Sequence, residues 1–136
     1  MPVDIWERCN TVEECYEFML AYAAQGLPSD EGARPGGQIR EFLQRAATAI
    51  AGLAEGCSQI VKKEGLEPAE KYHSFLAVLD RDARNSLAAV DLVLAQPSIS
   101  SQLVDNLNAS MHLRALLTDL FLLGDIFRAQ LGHTPR

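Results

Sequence analysis

No stretch of this sequence stays apolar for the roughly 20 residues that a membrane-crossing helix needs. Its most hydrophobic segment, 113–127, is interrupted by Arg114, Asp119 and Asp125. The opening Met1-Pro2-Val3-Asp4 has no basic segment followed by an apolar run, so neither a membrane span nor an export signal is expected. Cysteine is scarce: Cys9, Cys15 and Cys57 are odd in number and none has Cys-x-x-Cys spacing. A disulfide framework is therefore not expected, and three thiols suit a reducing cytoplasm. Positive charge is also short. The 12 Lys and Arg are outnumbered by 18 Asp and Glu and are scattered, leaving a net charge of -6. Binding a phosphate backbone needs clustered cations, so no nucleic-acid partner is expected.

Other absences are of pattern. There are no β-branched runs with period-two alternation, which removes the sheet classes. There is no P-loop, no Gly-x-Gly-x-x-Gly after a strand, no Gly-x-Ser-x-Gly and no His-Glu-x-x-His, so the familiar nucleotide, hydrolase and zinc-protease classes have no support and no cofactor is expected. What remains is 136 residues, 48% hydrophobic and 22% charged, the balance of one ordinary globular domain spanning 1–136.

The apolar residues recur at helical spacing throughout. Thr11 with Glu14 matches a capping box, as does Asp4 with Glu7, and predicts a helix from about Thr11 on which Val12, Cys15, Tyr16, Met19 and Tyr22 share a face until Gly26 and Pro28. Segment 27–37, with two prolines and three glycines, reads as a flexible loop. A second helix over 38–64 carries Ile39, Phe42, Leu43, Ala46, Ile50, Leu53, Cys57, Ile60 and Val61 as one stripe. Its small-residue run 46–54 would let a neighbouring backbone approach closely, although Gly52 and Gly56 each weaken a helix by about 1 kcal/mol. Gly65 stops it. A third helix over 68–95 has its seam on Tyr72, Phe75, Leu76, Leu79, Ala83, Leu87, Val90 and Leu94, and a fourth runs from a Ser98, Ser100 or Ser101 cap to Leu131, leaving 132–136 as a flexible tail. Long helices joined by short connections make antiparallel neighbours. The expected fold is an all-α, up-down-up-down four-helix bundle with a short first helix.

Three groups of residues could carry chemistry. Glu70 and His73 form a Glu-x-x-His unit whose side chains could share a metal ion in a ligand-binding bundle. A di-iron bundle needs two such units, and His112 has Ala109, not a glutamate, three residues before it. The fourth helix has an apolar face that drifts: Leu103, Leu107 and Met111 first, then Leu113, Leu117, Leu120, Phe121 and Phe127. Ser110, Arg114, Thr118 and Asp125 fall inside that sector. A guanidinium among leucines requires a carboxylate, with Asp80, Asp82 and Asp91 as candidates, or backbone carbonyls, or else the polar strip lines a ligand cleft or partner surface. On the opposite stripe, Asp105, Asn108, His112 and Asp119 place an exposed histidine in mid-helix. Met111-His112-Leu113-Arg114, followed by Thr118, resembles the His-x-Leu-Arg pattern of histidine phosphotransfer domains and sensor-kinase dimerisation helices. That resemblance implies His112 as a phosphoacceptor. It covers fewer than about ten residues and lacks the residue between His and Leu-Arg.

The reading that unites these observations is a non-catalytic accessory or regulatory protein of the cytoplasm. It would form a homodimer or another homo-oligomer, or dock a protein partner, through a helix face enriched in Leu116, Leu120, Leu123 and Ile126.

Overall fold

The computed structural model describes residues 5–31 and 36–132, and within them the chain is all-α with no strand. Six helices follow one another: α1 Ile5–Ala23, α2 Gly36–Ile50, α3 Leu53–Glu64, α4 Ala69–Leu94, α5 Ser101–Ala109 and α6 His112–Leu131. No helix among these residues is long and apolar enough to cross a membrane. α1 packs chiefly on α2 and α5, while α4 packs on α6, α3 and α2.

The expected first helix is corrected at its start. It begins by Ile5 and runs 19 residues, longer than α2, α3 and α5, so it is not short. Thr11 does not cap it, because its hydroxyl donates back to the Glu7 carbonyl at 3.0 Å, a bond made inside a helix. The Asp4 half of the other capping pattern lies outside the described residues. Ile5, Val12, Cys15, Met19 and Tyr22 form the buried stripe, and each large apolar side chain enclosed this way contributes about 1.5–3 kcal/mol.

The expected second and fourth helices are each divided. The first break falls at Ala51-Gly52, between α2 and α3. It frees carbonyls at the end of α2, and Arg8 of α1 supplies the donors, reaching Thr48 O at 2.8 Å and Ala49 O at 3.0 Å. A cation is favourable at a helix C-terminus. A Cβ on Gly52 would lie 2.8 Å from the Arg8 guanidinium carbon, and one on Gly56 would lie 2.7 Å from Ile5 Cδ1. The small-residue run therefore admits α1. α3 ends as expected: Gly65 takes φ 60°, its N–H and that of Leu66 bond to Lys62 O and Val61 O, and buried Leu66 closes a Schellman turn.

The second break lies at Ser110-Met111, where Met111 adopts φ 70°, a left-handed conformation uncommon for a residue with a Cβ. Asn106, Asn108 and Ser110 are weak helix formers, the Ser110 hydroxyl donates back to Leu107 O, and the Asn108 amide donates to Met19 O of α1 at 3.4 Å. The drifting apolar face of the sequence is this break. Leu107 and Leu113 are both buried because they stand on two helices of different phase.

Residues 27–31 are strongly tied. Asp30, only 7% exposed, accepts the Ile99 N–H on Oδ1 at 2.7 Å and the Arg40 Nε–H on Oδ2 at 2.6 Å. Arg40 also donates to Leu94 O and Gln96 O at the end of α4. Around this pair the Tyr22 hydroxyl donates to Ile99 O, and Ser101 donates to Tyr22 O while accepting from Leu27 N–H. Ser100 is the α5 cap, accepting from Leu103 N–H. The stretch 32–35 of the expected loop, and 133–136 of the expected tail, lie outside the described residues.

Burial alone would raise the Asp30 carboxyl, but the Ile99 N–H and the Arg40 guanidinium outweigh it and hold it below 3.8. Its stabilisation is therefore present at neutral pH and is lost as pH falls below the ordinary carboxylate range. Asp30→Ala strands a guanidinium and an amide, and chemical denaturation at pH 7 is expected to show a loss of about 2 kcal/mol. Glu17→Ala on the exposed side of α1 should stay within about 0.5 kcal/mol of wild type.

Candidate functional site

The site follows from the periodicity of α6 once its start is known. Leu113, Leu116, Leu117, Leu120, Leu123, Gly124 and Phe127 are buried against the rest of the fold. Phe127 meets the Trp6 ring edge-on at 6.3 Å. Leu116, Leu120 and Leu123, expected as surplus apolar surface, are thus covered by the chain itself, and Ile126 is half-buried. The surplus lies elsewhere: Phe121 is 53% exposed, Leu122 49% and Met111 51%.

Arg114, Thr118 and Asp125 are exposed and share the outer arc of α6 with Phe121. Positions 114, 118, 121 and 125 are spaced 4, 3 and 4 residues apart, which stacks them in one row along a helix. The expected enclosure of Arg114 among leucines is corrected. Starting α6 at His112 turns Arg114 outward, and no described residue hydrogen-bonds or pairs with its guanidinium. Asp80 pairs instead with Arg84 at 2.8 Å. The Thr118 hydroxyl donates to Arg114 O at 2.8 Å, so its polar atom is satisfied within the helix. Asp125 pairs with Arg128. Ser110, the fourth residue of the expected strip, stands in the joint before α6.

His112 is corrected as well. It opens α6 and is half-buried, not an exposed mid-helix residue, because the Met111 turn replaces the continuous helix on which that position rested. Glu70 and His73 are exposed near the start of α4. Among the described residues no group of three or more His, Cys, Asp or Glu is placed to hold a metal ion, so this pair has no third ligand beside it. Cys9 is half-buried. Burial pushes the Cys15 thiol up to about 11 and the Cys57 thiol to about 12, which keeps both protonated and unreactive.

Sequence reading missed two features. The first is the outward position of Phe121 and Leu122, which the 4-3-4 row could have shown had the helix break been known. The second is a carboxyl pair between α4 and α6. Asp119 Oδ2 is shut from solvent without a donor, and its neighbour is Asp82; an O–H···O bond forms between them only when one is protonated. Burial first, then that bond and the like charge of Asp82, push Asp119 up to about 7. One turn along α4, the Ser86 hydroxyl is buried without a hydrogen-bond partner among the described residues. No residue type in the sequence announces either contact.

A groove of about 450 Å³ between α1 and α2 is lined by Glu7, Arg8, Glu41, Arg45 and Thr48, among others. Its cations are engaged, Arg8 with the end of α2 and Arg45 with Glu14 at 2.7 Å. The groove therefore presents no uncommitted cation to a ligand. No protein-family model, curated protein or solved structure matches the chain, so the geometry of its own residues carries the functional argument.

The carboxyl pair has a testable sign. Asp119 is raised from 3.8 to about 7, so the folded chain binds the proton more tightly than the unfolded one. This favours folding in acid, and stability falls as pH rises through that window. With allowance for partial exposure, the cost above neutrality is about 1 kcal/mol. In Asp119→Asn the urea midpoint is expected to be higher than wild type at pH 8 and to converge on it toward pH 5, and parallel pH profiles would contradict the assignment.

Proposed function

We propose that this chain is a non-catalytic accessory or regulatory protein that acts by presenting the outer face of α6 to a protein surface. The observation that carries this reading is the exposure of Phe121 and Leu122 side by side on α6, framed by the charged Arg114 and Asp125, with exposed Met111 in the turn before the helix. Large apolar side chains grouped in one place and rimmed by charge are the composition of a contact surface. Behind it α6 packs on α4, which holds the face in place. On this reading the six helices are an antiparallel four-helix arrangement whose second member is α2 with α3 and whose fourth is α5 with α6. A reducing cytoplasm suits the two buried protonated thiols.

Phe121→Glu with Leu122→Glu removes the face without touching the core. The double variant is expected to keep wild-type circular dichroism and a denaturation midpoint within about 0.5 kcal/mol of wild type. In cross-linking of cell extract and in sedimentation, it should lose the complexes that wild type forms. Retention of every complex by the double variant overturns the reading.

A further inference from the structure

The row on the outer face of α6 is symmetrical in spacing and antisymmetrical in charge. From Arg114 the steps are four, three and four residues to Thr118, Phe121 and Asp125, and the same steps are met when the row is read backwards. An antiparallel partner helix in register about the midpoint of 119 and 120 therefore sets Arg114 against Asp125, and Thr118 against Phe121, twice. We infer that the surface presented by α6 receives a second copy of this chain, α6 packing antiparallel on α6 about a two-fold axis between Asp119 and Leu120. This inference rests on the reading of α6 as an interaction face and names its occupant.

Two further observations favour that occupant. Arg114 has no acid partner among the described residues, whereas Asp125 holds only Arg128; the pairing supplies the missing acid. Thr118 already satisfies its hydroxyl through Arg114 O, so it presents its methyl group to the facing Phe121 at little desolvation cost. At a rise of 1.5 Å per residue, the two Phe121 side chains lie about 4.5 Å apart along the axis, within stacking range, with Leu122 widening the apolar centre. A parallel arrangement would set Arg114 against Arg114 and Asp125 against Asp125.

One helix face about 30 Å long is a small interface, so a dimer dissociating at roughly 10 µM is expected. Sedimentation equilibrium of the purified chain, from about a tenth to about ten times that concentration, measures it. Arg114→Asp and Asp125→Arg should each weaken the dimer by about tenfold, and the double variant should return to within about threefold of wild type. Rescue by the double exchange is specific to the antiparallel register. A monomer across the whole range, single exchanges without effect, or a double variant as weak as the singles each overturns the inference. Failure here is separable from failure of the α6 reading: a purified monomer whose complexes in extract still depend on Phe121 and Leu122 has an α6 contact face occupied by a different protein.

Discussion

The pair of Asp30 and Arg40 is the constraint on which the arrangement of helices depends. Both carboxylate oxygens are used, one on the Ile99 amide and one on the Arg40 guanidinium. The remaining guanidinium donors close the C-terminal end of α4. Four segments are tied at one place: the turn after α1, helix α2, the end of α4 and the residue leading into α5. A charge at 7% exposure beside a partner at 32% is tolerable only with every hydrogen-bonding site met, and here the demand for partners sets the geometry. Tyr22 and Ser101 extend the same knot to the end of α1.

Downstream of that knot, two helix breaks decide which residues face outward. At Ala51-Gly52 the break makes room for Arg8 and Ile5 of α1, and Arg8 satisfies the carbonyls that the break exposes. At Ser110-Met111 the break changes the phase of the chain between α5 and α6. One continuous helix could not bury both Leu107 and Leu113 on neighbouring turns while leaving Phe121 in water. With the break it does so, and the cost is a left-handed Met111. The outer row of α6, with Arg114 and Asp125 at its ends, is a consequence of where that turn falls.

The fold class was legible because helical periodicity needs no partner to be recognised. The stripes on 12–22 and 39–50 and the Gly65 stop appear in the structure, and of the seam expected over 72–94 Leu76, Leu79, Ala83 and Val90 are buried, with Ser86 and Val93 enclosed where Leu87 and Leu94 were expected. The breaks were not legible. Gly52 and Ser110 are weak helix residues, but about 1 kcal/mol of local preference is overruled or confirmed only by what packs alongside. The same limit hid the role of Asp30, which reads as a loop residue until Arg40 and Ile99 are brought to it from ten and sixty-nine positions away. Of the candidate site residues, Arg114, Thr118 and Asp125 do lie together, though facing out where an apolar setting was expected. Glu70 with His73 stays apart from any further ligand group, and His112 moves from the middle of a helix to the start of one.

By itself, then, the sequence determined that this chain folds as helices, which residues of most helices turn inward, and that its charge is acidic and unclustered. Those properties depend on residue type and on spacing within a few turns. Only the tertiary structure decided where two of the helices break, which arc of α6 remains in water, and that Asp82 and Asp119 stand together. Such outcomes depend on contacts between residues distant in the chain, and the energies that select them belong to the packed state.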